Sequence, residues 1–310
     1  MASGGGTKAI LAALAANAGI AVAKFVGFLI TGSSSMLAES VHSVADTSNQ
    51  GLLLLGRKTS QRRATADHPF GFGRDRYFYS FVVALLLFTL GSVFALYEGI
   101  HKIEAPEELT SPFVAIGILV VAIILETFSF ITAISESKVI KGNSTWWQFI
   151  RQSKTPELPV VLLEDAGALL GLAFALAGVS LAVITGDPVW DGIGTITIGV
   201  LLGVIAIILI IEMKSLLIGE GSSPAELSTI VRELSAGEVE RVIHIRTQYI
   251  GPDELLVAAK IALAPGLTAA EVARTIDDAE GRVRTRVPAA RLIYLEPDLD
   301  RSLARDTQDS

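Results

Sequence analysis

Six apolar stretches, each near the roughly 20 residues a helix needs to cross a bilayer, constrain this chain more than any other feature. They run from about Ile10 to Ile30, Met36 to Leu55, Tyr77 to Ile100, Pro112 to Ser135, Leu158 to Ile184 and Val189 to Ile211. In hydrocarbon a backbone must satisfy its own polar groups, so such stretches read as transmembrane helices. Composition agrees, because 51% hydrophobic and 18% charged residues over 310 positions are too apolar for an ordinary soluble domain. The N-terminus enters the first stretch without a small-residue cleavage pattern, so it reads as a span and not as a cleaved signal.

Basic residues set the orientation. Arg57, Lys58, Arg62, Arg63, Arg74 and Arg76 lie between the second and third spans, and Lys138, Lys141, Arg151 and Lys154 between the fourth and fifth. These loops are expected inside, while Gly32 to Ser35, the loop carrying Glu104, Glu107 and Glu108, and the loop carrying Asp187 face outward. The expectation is a multi-pass protein of a bacterial plasma membrane with N- and C-termini cytoplasmic. Tyr77, Tyr79, Tyr97 and Trp190 fit interfacial aromatic belts, and Trp146, Trp147 and Phe149 fit a short segment on the inner surface.

After Lys214 the composition turns soluble. Ser223-Pro224-Ala225-Glu226 and Thr268-Ala269-Ala270-Glu271 are capping-box starts of two helices. Between them, alternation over Ile243 to Tyr249 and Leu255 to Leu263, broken at Gly251-Pro252-Asp253, predicts a hairpin. With a last strand near Arg291 to Glu296, the order is αββαβ, a small ferredoxin-like domain. The fold class is therefore an α-helical membrane protein of six transmembrane helices over 1–215, a cytoplasmic domain over 216–300, and a disordered tail over 301–310.

A net charge of -7 removes the global basic field that a nucleic-acid partner requires. The chain contains no cysteine, so a metal ion has only His, carboxylates, carbonyls or water to bind. No HExxH, GxSxG or Walker-type loop occurs, so neither an enzyme nor a nucleotide-driven pump is indicated, and no cofactor is implied.

Ionisable residues inside spans are costly and mark functional positions. His42 and Asp46, four apart in the second span, share one helix face, where an imidazole and a carboxylate can reach one ion. The bland alternative is a hydrogen-bonded packing pair. The fifth span supplies Glu164 and Asp165, which point about 100° apart on a helix. Asp165 is the expected ligand, while Glu164 is open between second ligand, proton carrier and snorkelling group. By helix count Asp165 lies about 9 Å inward of Asp46. Glu126, in the fourth span, is a proton carrier or the partner of Lys24, with the ion pair preferred; Glu39, Asn17, Asn49 and Gln50 are candidates for the same hydrated path. Gly199 and Gly203 form a GxxxG, read as close helix packing.

The run GSSSMLAESVHSVADTSNQ and the run HPFGFGRDRYFYS resemble the second span and the loop signature of the cation diffusion facilitator family, along nearly the whole chain. The resemblance implies a homodimer in the lipid bilayer that exchanges a divalent metal ion for protons. It implies a site of His42, Asp46 and Asp165, with a fourth position from Glu164 or water. The family's usual histidine four residues before Asp165 is Val161 here, as in the branch that includes the mitochondrial human zinc transporter. A second family site would use Asp67 and His68, but its later histidine position is Phe72. In the soluble domain His244 matches a family ligand, whereas Lys260 and Tyr294 stand at other ligand positions. The reading is a metal–proton antiporter exporting zinc, with Mn2+, Fe2+ or Co2+ as alternatives; a membrane-bound metal sensor or scaffold is the reading from another class.

Overall fold

The computed structural model describes residues 18–106 and 109–299. The expected start of the first span, Asn17, Glu107, Glu108 and the expected tail lie outside them. The protein is a helical membrane protein with a small C-terminal sheet region, and its chain divides into two compact units.

In the helical unit, α1 (Ala18–Thr31) and α2 (Ser34–Ser60) precede four helices that are long and apolar enough to cross a membrane. These are α3 (Asp75–Glu104), α4 (Pro112–Lys141), α6 (Glu157–Thr185) and α7 (Val189–Ile218), with the short α5 (Trp146–Gln152) between α4 and α6. α2 has the length of a span at 27 residues, but Glu39, His42, Asp46 and a series of serines dilute its apolar character. Its polar groups point inward, and Glu39, Ser40, His42, Ser43, Asp46 and Asn49 are all buried. α1 shows the complementary pattern. Val22, Phe25, Val26 and Leu29 are exposed while Lys24 is fully buried, as expected of a helix with a lipid face and a bundle face.

Close approach fixes the packing of α7 on α3. A Cβ at Gly199 would fall 2.9 Å from Leu96 N, and one at Gly203 would fall 2.7 Å from Ser92 Oγ. The GxxxG therefore has α3 as its partner, with Ser92 in a stretch, Leu87–Val93, wound as a π-helix and Leu96 just beyond it. Ser92 Oγ donates to Gly199 O at 2.8 Å. At the basic-loop end, Arg76 at the start of α3 forms a two-pronged ion pair with Glu157 at the start of α6, Nη2 to Oε2 being 2.9 Å.

Two aromatic expectations are corrected. Tyr77 is fully buried in the bundle and is no interfacial anchor, because the start of α3 packs against protein there. Phe149 joins Ala133 and Leu162 in an apolar cluster, so α5 turns Phe149 and Ile150 inward while Trp146 and Trp147 remain exposed. A capping box of Thr145 and Gln148 starts α5.

The C-terminal unit consists of 60–74 and the residues from 215 onward. Its elements are α8 (Pro224–Leu234), β1 (Val239–Gly251), β2 (Glu254–Leu263), α9 (Ala269–Arg286) and β3 (Leu292–Pro297). β1 and β2 pair antiparallel, β2 and β3 parallel, in the order β1-β2-β3. A parallel pair needs a crossover, which α9 supplies. Both helices begin with the expected capping boxes, Ser223 with Glu226 and Thr268 with Glu271. Ile230 and Leu234 from α8, Leu255 and Val257 from β2, and Ala279 and Val283 from α9 form the core. Gly73 lies against the hairpin so closely that a Cβ would sit 2.8 Å from Ile250 O, so the loop signature is a docking segment of this unit.

Candidate metal centre

Three helices bring acidic side chains to one small cavity. Asp46 and Ser43 come from α2, Glu126 from α4, and Glu164 and Asp165 from α6, with Ile20, Gln50 and Val161 completing the lining. Its water-accessible core of ≈ 10 Å³ is about the room of one water-sized particle. The 9 Å difference in depth counted along the sequence does not separate Asp46 from Asp165, since helices need not end level.

The carboxylates are individually positioned. Asn49 Nδ2 donates to Glu164 Oε1 at 2.7 Å, and Ser129 Oγ of α4 donates to Asp165 Oδ2 at 3.0 Å. Asp46 and Glu164 share the wall of this cavity, which has room for about one water-sized particle. Two carboxylates repel at such range unless a proton or a cation lies between them. Glu164 is 5% exposed and held by Asn49, so it does not snorkel.

His42 is placed differently from its expected role. Its Nε2 stands 3.5 Å from Asp46 Oδ2, beyond a good hydrogen bond, and both ring nitrogens are buried without a hydrogen-bond partner. It flanks Asp46 and is not part of the cavity lining. Among the described residues no three His, Asp or Glu side chains form a closed metal cage, so the arrangement is a loose acidic chamber.

The preferred Glu126–Lys24 pair is corrected. Lys24 Nζ donates to Glu39 Oε2 at 3.0 Å and to Ser43 Oγ at 2.8 Å, which leaves Glu126 on the cavity wall. The reason is register, because Glu39 and Ser43 are one α2 turn apart and together clasp one ammonium.

At the opposite end of α2 from its basic residues, Asp191 was not singled out in the sequence. Fully buried in the first turn of α7, it accepts from Ser33 Oγ at 2.9 Å, Ser34 N at 2.8 Å and Ser34 Oγ at 3.1 Å. It thus caps the N-terminus of α2 from another helix, where a carboxylate meets free N–H groups and the positive dipole end. The only signal was the serine run itself, which lacks an acidic residue of its own.

The second family site is not assembled among the described residues. Asp67 and His68 are exposed, and Phe72 lies between the His68 ring, 4.6 Å away, and the Arg62 guanidinium, 4.4 Å away. On the sheet, His244 is exposed and accepts from Arg246 Nε at 3.1 Å, while Lys260 is occupied by Glu296 and Asp298.

Apolar helices long enough to cross a membrane enclose a buried acidic chamber, which defines the class as a helical membrane protein with ionisable groups in its interior. The chain belongs to the cation efflux family: residues 10–218 match the cation efflux transmembrane domain. It is 33% identical over 240 residues to the mouse (Mus musculus) proton-coupled zinc antiporter SLC30A9, mitochondrial, which covers 76% of this chain and 42% of that protein. It is 30% identical over 257 residues to metal tolerance protein C4 of Arabidopsis thaliana, covering 82% of this chain and 56% of that one. Magnetosome protein MamB of Magnetospirillum gryphiswaldense is 26% identical over 270 residues, covering 86% and 85%. The chain thus spans about two fifths of the length of the zinc antiporters it matches.

Proposed function

We propose that this chain is a secondary transporter that exports a divalent metal ion, zinc first, from the cytoplasm in exchange for protons. The observation that carries the proposal is the convergence of Asp46, Glu126, Glu164 and Asp165 on one buried cavity. Such a group is stable only with cations among its members, and metal and protons can alternate in that part.

In this reading α1 and α2 are the first two of six spans, and the membrane unit covers 1–215. The αββαβ unit over 216–300 is a ferredoxin-like cytoplasmic domain, both termini are inside, and the working form is a homodimer in a bacterial plasma membrane. No chemical step is catalysed. The ion enters from the basic-loop side, where Gln50 and Val161 each lie one turn from the acidic residues of their own helix. Asp46, Asp165 and Glu164 hold it, and His42 completes the set by turning toward the cavity as the helices shift. Glu126, unpaired with Lys24, carries a proton. The names of the zinc antiporter relatives favour zinc. An oxygen-rich set also accepts Mn2+, Fe2+ or Co2+.

The test is uptake of zinc, manganese, cobalt and iron into proteoliposomes with and without an imposed pH gradient. Zinc-preferring flux that follows the gradient is the expected result. Binding of zinc with no flux of any metal would instead indicate a sensor or scaffold.

A further inference from the structure

One buried charge is not used in that reading. Lys24 is fully buried, and its ammonium is held by Glu39 and Ser43. Ser43 also lines the acidic cavity. Glu39 Oε2 takes the ammonium, while Glu39 Oε1 is buried without a partner and lies 2.7 Å from where a Cβ at Gly171 of α6 would sit. A fully buried ion pair, half satisfied on one side, is a poor source of stability, since apolar replacements of such pairs are often neutral or better. Stability therefore does not explain why it is there.

Position supplies a reason. A fixed positive charge one hydroxyl away from a chamber of four acidic residues acts on whatever occupies the chamber. The ammonium also stands on the Glu39 side of Asp46, toward the serine-rich end of α2, whereas Gln50 and Val161 line the cavity on the other side. We propose that Lys24 is a tethered counter-cation that competes electrostatically with the transported divalent ion, keeping its affinity low enough for release. Glu39 tunes this effect by holding and partly neutralising the ammonium. Lys24 is a positioning residue that touches no metal. The inference rests on the transport reading above.

The two members of the pair should act with opposite sign. In Lys24→Met the chamber loses its repelling charge, and zinc binding to the full-length purified chain, measured by titration calorimetry, should tighten by about tenfold, with KM and kcat for uptake both falling. Glu39→Gln keeps an oxygen for Lys24 but removes the neutralising charge, and binding should weaken severalfold. Lys24→Arg should stay near wild type. Should Lys24→Met fail to fold with Glu39 left alone, Lys24→Met/Glu39→Gln removes both charges, and its affinity should lie between those of the two single changes. Glu39→Gln alone remains decisive. Affinity that is unchanged or shifts in the same direction in both single variants overturns the inference and makes the pair structural. A wild-type chain that binds zinc and moves it, yet shows no such shifts, leaves the transport reading standing; a wild-type chain that binds none of zinc, manganese, cobalt and iron removes both.

Discussion

On α2 the buried atoms Glu39 Oε1, His42 Nδ1 and Nε2, Asp46 Oδ1 and Asn49 Oδ1 have no hydrogen-bond partner. In the C-terminal unit no buried side-chain atom among the described residues from 219 on is left so. There Ser223, Glu226, Thr268 and Glu271 satisfy the helix starts, and Tyr249 Oη donates to Glu226 at 2.7 Å. Each buried polar group without a partner costs about 1–3 kcal/mol, so a helix that gathers several holds bonding capacity for something other than its own chain. One unit spends its polar groups on its fold, and the other, in the function proposed above, keeps them available to a cation.

The largest expected effect separates these two uses. Asp46→Asn should reduce metal flux by at least the roughly 100-fold that even outer partners of a metal can cost, while thermal stability holds or rises because a crowded carboxylate is gone. Flux in proteoliposomes and melting of the same preparation check both halves. The mirror experiment is Leu255→Ala in the C-terminal core, where a fully buried side chain is lost at a cost of about 3 kcal/mol. KM for the metal in surviving protein should be unchanged. A shift in KM would mean that the two units are not separate in function.

Asn49→Ala sharpens the account of the chamber. It frees Glu164 Oε1 from its amide, and metal affinity should fall by about tenfold; an unmoved affinity would remove Glu164 from the ligand set. The smallest effect belongs to Glu271, whose carboxyl is held below its ordinary value of 4.5 by hydrogen bonds from the Thr268 hydroxyl and backbone N–H. A lowered folded value stabilises the domain above the unfolded value, and the contribution is lost as pH falls through the folded one. The stability of Glu271→Gln, followed by denaturant unfolding, should therefore lie slightly below wild type at neutral pH and converge with it as the pH falls through the folded value.

Much of the fold was legible in the sequence because its signals are local. Capping boxes at Ser223 and Thr268, the turn at Gly251-Pro252-Asp253 and the alternation of β1 and β2 depend on residues a few places apart, and each falls where expected. The four long apolar helices are legible for the same reason. What the sequence hid depends on helix rotation and depth. Lys24 chooses Glu39 over Glu126 because of α2's register, Glu164 and Asp165 both reach one cavity although they diverge on their helix, and Asp191 caps a helix 157 residues away. None of these partners can be read from spacing within one helix.

The central claim is that the acidic chamber between α2, α4 and α6 holds the ion. It is tested most directly by anomalous diffraction from crystals of the full chain soaked in zinc. The account expects a zinc peak within bonding distance of Asp46 and Asp165, lost in Asp46→Asn. A peak found only at exposed histidines such as His68 or His244, with the chamber empty, would contradict it.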